Sequence, residues 1–219
     1  MTTRNDAAPF FDAVARRYDR VYAPGRAETE ESLARVLPEL RPASRVLDLG
    51  VGTGRELPAL LDAGHSPVGL DASSEMLAIC ARRARPVPLV KGDLWERLPW
   101  DDSSFDAVIA LHGTLSHPPS DTARAAFPAE VARILRPGGV LVAEVPTLEW
   151  FDRIASAGGA VRLNESRGRF SDDATGATVE ASFLTEQGWR GLFETAFAVR
   201  IELTADQLLV VGRRKAPTF

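Results

Sequence analysis

A chain of 219 residues holds one ordinary domain with an elaboration and is short for two. Its 45% hydrophobic and 26% charged residues exclude a disordered chain, and a net charge of −4 argues against a phosphate-backbone binder, which usually carries a concentrated basic stripe. One cysteine, Cys80, and three histidines exclude an internal disulfide and leave too few ligands for a zinc site.

In chain order, Phe11, Val14, Ala15, Tyr18 and Tyr22 recur at spacings of three, four or seven and predict an inward-facing helix within an N-terminal helical region, 1–40. Short apolar runs follow at 45–49, 67–70, 87–90, 105–111 and 140–145, with helical segments between them. That rhythm predicts βαβ units, hence a parallel sheet buried on both faces. Beyond Pro146 the pattern changes to a helix at 148–156, a Gly158-Gly159 break and a polar stretch. There, 167–171 and 177–183 flank the turn formers Asp172, Asp173 and Gly176, which predicts a small hairpin. A helix over 185–195 precedes two strand-like runs, 197–203 and 207–212. Their link, Thr204, Ala205 and Asp206, is short enough to impose an antiparallel pair. The predicted fold is α/β: a Rossmann-like seven-stranded sheet, mostly parallel with a C-terminal antiparallel hairpin, helices on both faces and an insertion over 147–183 after the fifth strand. The whole of 1–219 reads as one domain.

The most informative stretch is Asp48-Leu49-Gly50-Val51-Gly52-Thr53-Gly54, where the first strand runs into a glycine loop and then a helix. Glycine admits positive φ and brings backbone N–H groups close to a ligand. A dinucleotide fingerprint requires a sixth-position glycine where Arg55 stands, and no Gly-Lys-Ser/Thr follows to make a phosphate loop. Asp71 ends the second run, where a carboxylate is able to accept both hydroxyls of a ribose. Asp93 ends the third.

These residues resemble the first three motifs of class I S-adenosylmethionine-dependent methyltransferases. Segments 98–109 and 133–139 are similar to later family segments and are mainly structural. The resemblance implies that Asp48, Gly50, Gly52 and Gly54 hold the methionine end of S-adenosylmethionine. Asp71 would meet the ribose, Met76 and Leu94 the adenine ring and Asp93 its amino group, with Ala72 and Leu111 also at the cofactor. Residues 11–19 resemble the lid helix of the small-molecule type, which brings Tyr18 to the cofactor carboxylate. S-adenosylhomocysteine is the implied product. No Asn-Pro-Pro-Tyr signature follows the fourth strand, so the implied acceptor is a small molecule methylated on O, N or C.

Ligands of open α/β sheets bind at the carboxyl ends of the strands, so the loop that starts at Leu111 should border the methyl group. Within it His112 and His117 are the candidate bases, or else they shape the pocket; His65, in a helix-to-strand turn, reads as structural. In the insertion, Trp150, Phe151, Arg162, Asn164, Arg167 and Arg169 read either as an acceptor wall or as a solvated surface. A cytoplasmic enzyme with no metal, no nucleic acid and no membrane span is expected, with monomer and homodimer both open. A non-methylating reaction on the same cofactor, such as cyclisation or elimination, and a non-catalytic partner subunit remain the alternatives.

Overall fold

The computed structural model describes residues 7–21, 27–83, 86–156, 158, 160–204 and 206–216. Seven strands form the main sheet: β1 (Arg45–Leu49), β2 (Ser66–Asp71), β3 (Leu89–Lys91), β4 (Phe105–Ala110), β5 (Leu135–Pro146), β9 (Phe197–Leu203) and β10 (Gln207–Arg214). Their order is β3-β2-β1-β4-β5-β10-β9. The pairs β1–β2, β1–β4, β2–β3 and β4–β5 are parallel, whereas β10 runs antiparallel to both β5 and β9. This is the predicted sheet, and the reversal of strand order beside β1 opens a crevice at the carboxyl ends of β1 and β4.

Alternation along the strands builds two cores. Leu47, Leu49, Val108, Ala110, Leu141 and Ala143 face one side, where Phe127, Val131 and Ile134 of α6 (Asp121–Ile134) pack beside Trp189 and Phe193 of α8 (Glu186–Phe193). Val46, Ala107, Ile109, Val140 and Val142 face the other, against Leu33 and Val36 of α3 (Ala27–Val36), Leu57 and Leu60 of α4 (Leu57–Asp62) and Cys80 of α5 (Ser74–Arg83). Burial on both faces explains why β1, β4 and β5 read as continuous apolar runs. The predicted C-terminal helix starts where Thr185 accepts from Gly188 N–H as its N-cap.

Two boundaries differ from expectation. The strand expected at 87–90 lies at Leu89–Lys91, because Pro88 supplies only its carbonyl, to Gly69 N–H, and has no N–H for a ladder. Strand β5 begins five residues early, with a register break opposite Phe105 and Ala107 that absorbs Pro137 and Gly138.

The insertion holds α7 (Leu148–Ser156) and a second antiparallel sheet, β6 (Ala160–Asn164), β7 (Arg167–Ser171) and β8 (Thr178–Ser182), in that order. The predicted hairpin is therefore β7–β8, and β6 is an unpredicted third strand. At the N-terminus α1 (Ala8–Val14), one 3-10 turn and α2 (Tyr18–Val21) replace the single helix expected. Val14 and Ala15 are buried while Phe11 and Tyr18 are half-buried; Tyr22 and Gly159 lie outside the described residues. Phe10 and Val14 pack on Met76 of α5 and Val179 of β8. The N-terminal helices thus bridge the main sheet's helical layer and the insertion.

Candidate active site

One cleft at the carboxyl ends of β1, β2 and β4 gathers most of the sequence-predicted residues. Its lining includes Tyr18, Asp48, Gly50, Gly52, Asp71, Ala72, Met76, Asp93, Leu94, Leu111, His112 and His117. Its empty space is about 1010 Å³ with the open mouth included, at the upper end of the usual ~300–1000 Å³ for small-molecule sites.

The loop after β1 is shaped by three positive-φ glycines, Gly50, Gly52 and Gly54, but they do different work. A Cβ on Gly52 would meet only the Gly50 carbonyl oxygen, 3.8 Å away, so the bare backbone there faces open space. A Cβ on Gly54 would stand 2.5 Å from Cys80 Sγ. Gly54 is absent from the cleft lining and lets α5 approach the loop, a packing role in addition to the one expected of it at the cofactor. Cys80 is plain packing, its thiol pushed up to about 12 mainly by burial. Gly54→Ala should cost ~2–4 kcal/mol from overpacking plus the left-handed backbone. That is a drop of about 4–16 °C in melting temperature; a drop under 2 °C would refute the packing role.

Asp71 is held in place by the backbone. Gly52 N–H donates to Oδ2 and Ser73 N–H to Oδ1, both at 2.8 Å. The end of β2 and the glycine loop are therefore tied through one carboxylate. Burial pushes the Asp71 carboxyl up, and the two backbone donors oppose the shift. Two residues past the end of β3, Asp93 Oδ1 accepts from Trp95 N–H at 2.9 Å, which turns the chain across the cleft.

Asp48 is 3% exposed, and its Oδ2 finds no hydrogen-bond partner among the described residues. Burial first and the Glu56 charge second hold its carboxyl well above the usual range; Asp71 adds to the shift, and His112 and Arg55 oppose it. Glu56, 4% exposed, also lines the cleft, and its Oε1 lies 2.7 Å from His112 Nε2. His112 adopts φ +53°, a left-handed conformation that costs a non-glycine residue of order 1 kcal/mol or more.

His117 is placed differently. Its Nδ1 lies 2.9 Å from the Glu180 carbonyl oxygen of β8, and its ring meets Phe11 edge-on at 5.6 Å. A carbonyl only accepts, so Nδ1 carries the proton and the neutral ring keeps its lone pair on Nε2. Burial lowers the His117 pKa, with the Glu180 bond opposing. By contrast, His112 Nδ1 is sealed from solvent and its Nε2 is engaged by Glu56. The two histidines offered as bases are thus not equivalent. His65 accepts from Ser44 N–H at 3.2 Å, pinning the turn before β2.

The N-terminal helices are latched over the cleft. Asp12 accepts from Ser73 Oγ at 2.6 Å and from Glu75 N–H at 3.1 Å, while Thr53 Oγ donates to Asp19 at 2.6 Å. Arg83 bonds Asp19 as well as the Thr53 carbonyl and hydroxyl oxygens, and Arg17 pairs with buried Asp172 of the insertion at 3.1 Å. None of Trp150, Phe151, Arg162, Asn164, Arg167 or Arg169 lines this cleft. Phe151 is fully buried beside Phe170 and Phe183, and the arginines pair with Asp152, Asp121 and Glu180. Toward this cleft the insertion acts as a buttress, holding His117 and the N-terminal helices.

A family model for a methyltransferase domain matches residues 46–139, from β1 to the start of β5. The demethylmenaquinone methyltransferase of Mycolicibacterium vanbaalenii is 34% identical over 215 residues, covering 86% of this chain and 90% of that protein. The chain belongs to the class I S-adenosylmethionine-dependent methyltransferases. The enzyme of the same name from Beutenbergia cavernae is 39% identical over 155 residues, covering 67% of this methyltransferase; the match spans 60% of that relative's length. In fold it superposes on the 1,6-didemethyltoxoflavin-N1-methyltransferase of Burkholderia thailandensis, a structure with bound S-adenosylhomocysteine. That TM-score is 0.67 at 19% identity, covering 95% of this chain and 87% of the other.

The cleft fits the family's methyl donor on its own chemistry. It offers a bare backbone at Gly52, a carboxylate at the β2 end for paired hydroxyls, and, at Asp48, a buried carboxylate whose Oδ2 has no partner among the described residues, for a cationic group. Sequence reasoning missed Glu56 and the Asp19–Arg83–Thr53 latch. Glu56 and His112 are 56 positions apart and meet only because β1 and β4 are neighbours in the sheet.

Proposed function

We propose that this methyltransferase transfers the methyl group of S-adenosylmethionine to an oxygen, nitrogen or carbon atom of a flat, largely apolar small-molecule acceptor. The observation that carries it is a single cleft joining the glycine loop, Asp71 and Asp93 to an aromatic wall of Phe11, Tyr18, Trp95 and His117. Among the described residues of that lining Arg55 is the one arginine and no lysine joins it, so an anionic acceptor is disfavoured. Two relatives named as demethylmenaquinone methyltransferases point to the same acceptor class.

Once bound, S-adenosylmethionine supplies an electrophilic methyl carbon on a sulfonium leaving group. The protein's share is alignment and, for a hydroxyl or carbon acid, removal of a proton. Asp71 and the Gly52 backbone would fix the ribose, Asp93 and Met76 the adenine, Asp48 the methionine end, with Tyr18 of the latched helices closing over it. His117 serves as the base: its burial keeps the ring neutral at physiological pH, and the Glu180 carbonyl fixes the proton on Nδ1.

The test is incubation with methyl-labelled S-adenosylmethionine and a panel of aromatic hydroxyl and quinol acceptors. Label appearing in product with stoichiometric S-adenosylhomocysteine supports the assignment; tight cofactor binding with label only in anionic acceptors would refute the acceptor class. For a hydroxyl acceptor, activity should rise with pH through a midpoint below the ordinary histidine value, since only the neutral ring accepts a proton. His117→Gln should abolish that limb and lower kcat by about 10²–10⁴, with S-adenosylhomocysteine affinity unchanged. An unaltered pH profile in the variant would exclude His117 as base.

A further inference from the structure

The cleft holds one acidic residue that neither the motif resemblance nor the acceptor chemistry employs. Glu56 occupies the N-cap position of α4, two residues past Gly54, without a side-chain capping bond, and is 4% exposed while lining the cleft. A carboxylate in that setting costs free energy unless donors surround it. His112 supplies one, at 2.7 Å, and adopts its left-handed backbone where it does so. Beside it, the equally buried Asp48 also lines the cleft, and its Oδ2, sealed from solvent, has no hydrogen-bond partner among the described residues. Among the described residues, Asp71 from β2, Arg55 from the loop and the Cys80 thiol of α5 also face this corner. Two buried carboxylates, one of them visibly short of a donor, call for a compact cation with several N–H groups. A primary ammonium carries three.

We propose that Glu56 is a second binding residue for the methyl donor, pairing with Asp48 to seat the ammonium of its methionine end while His112 tethers Glu56 in position. This rests on the assignment of S-adenosylmethionine to the cleft. Placing the α-ammonium between two acids also fixes the rotation of the methionine arm, and with it the direction of the sulfonium methyl group toward the acceptor. His112 is then a positioning residue that acts through Glu56.

Calorimetry with S-adenosylhomocysteine and with 5′-methylthioadenosine separates this role from a structural one, because the second ligand keeps adenine and ribose and has no amino-acid end. On the wild type, S-adenosylhomocysteine should bind far more tightly than 5′-methylthioadenosine. Glu56→Gln should weaken S-adenosylhomocysteine by about 10- to 100-fold, as for a lost charge-assisted hydrogen bond, and leave 5′-methylthioadenosine within twofold. Glu56→Asp, which keeps the charge on a shorter arm, should recover part of the loss. His112→Asn removes the tether and leaves the carboxylate, so it should show the same ligand selectivity at smaller size; it serves equally if Glu56→Gln does not fold. Equal weakening of both ligands would mean that Glu56 merely supports the loop and would overturn the proposal, as would unchanged affinity for both. Failure of the wild type to bind either ligand would instead sink the donor assignment, and the proposal with it.

Discussion

Asp71→Ala should abolish practical cofactor binding: S-adenosylhomocysteine affinity is expected to fall by ~3 kcal/mol or more, at least about 150-fold. Two losses combine. The carboxylate that would accept both ribose hydroxyls disappears, and each such charged hydrogen bond contributes about 1.5–3 kcal/mol. The Gly52 and Ser73 N–H groups, each 2.8 Å from that carboxylate, also lose their acceptor, so the glycine loop loses its tie to β2. Unlike Glu56→Gln, this change should weaken 5′-methylthioadenosine as much as S-adenosylhomocysteine, since both carry the ribose. Asp71→Asn retains one acceptor oxygen and should sit between wild type and alanine. Calorimetry on protein whose melting temperature shows it folded decides the matter. A loss below threefold in folded Asp71→Ala would remove Asp71 from the cofactor site.

What was legible in the sequence follows from where its physics is local. Strands β1, β4 and β5 are sealed on both faces, so their continuous apolar runs announce them, and the short link 204–206 dictates the antiparallel β9–β10 pair. The glycine loop was legible because it joins a strand to a helix within a few residues. Edge elements were less so. Strand β3 is half-buried and hedged by Pro86 and Pro88, and β6 exposes four of its five residues, Val161 and Leu163 among them, so its pattern carries no inside and outside.

The candidate site divides along the same line. Asp71 and Asp93 could be placed because each ends a strand-like run. Glu56 could not, because an acid at a helix start is ordinarily a solvated cap, and nothing local distinguishes one that the fold buries against His112. The separation of His117 from His112 was equally hidden, since both lie in one loop and only the Glu180 carbonyl, 63 positions on, gives His117 a defined tautomer. For the insertion's arginines the choice between acceptor wall and solvated surface stayed open in the sequence, which does not show that Asp152, Asp121 and Glu180 pair with them.

Asp48→Asn should raise the stability of the ligand-free protein while removing much of its affinity for S-adenosylhomocysteine. The Asp48 carboxyl is held well above its unfolded value by burial and by Glu56. Below the unfolded value both states keep the proton and no penalty arises. As pH rises past it, the unfolded chain releases the proton while the native chain retains it. The native state is therefore progressively disfavoured until its own elevated titration point is passed, and the full penalty remains above that. Asparagine has no such charge to bury, so the variant should gain ~1–2 kcal/mol near neutral pH, about 2–8 °C in melting temperature, and the gain should vanish as the pH is lowered toward the ordinary carboxylate range. The ammonium of the methionine end would bind best to ionised Asp48, so wild-type binding should release a proton, measurable as a dependence of calorimetric heat on buffer ionisation enthalpy. That dependence should disappear in Asp48→Asn. A variant less stable than wild type at neutral pH, with unaltered affinity and unaltered proton release, would show that Asp48 is a structural acid whose charge the fold already satisfies.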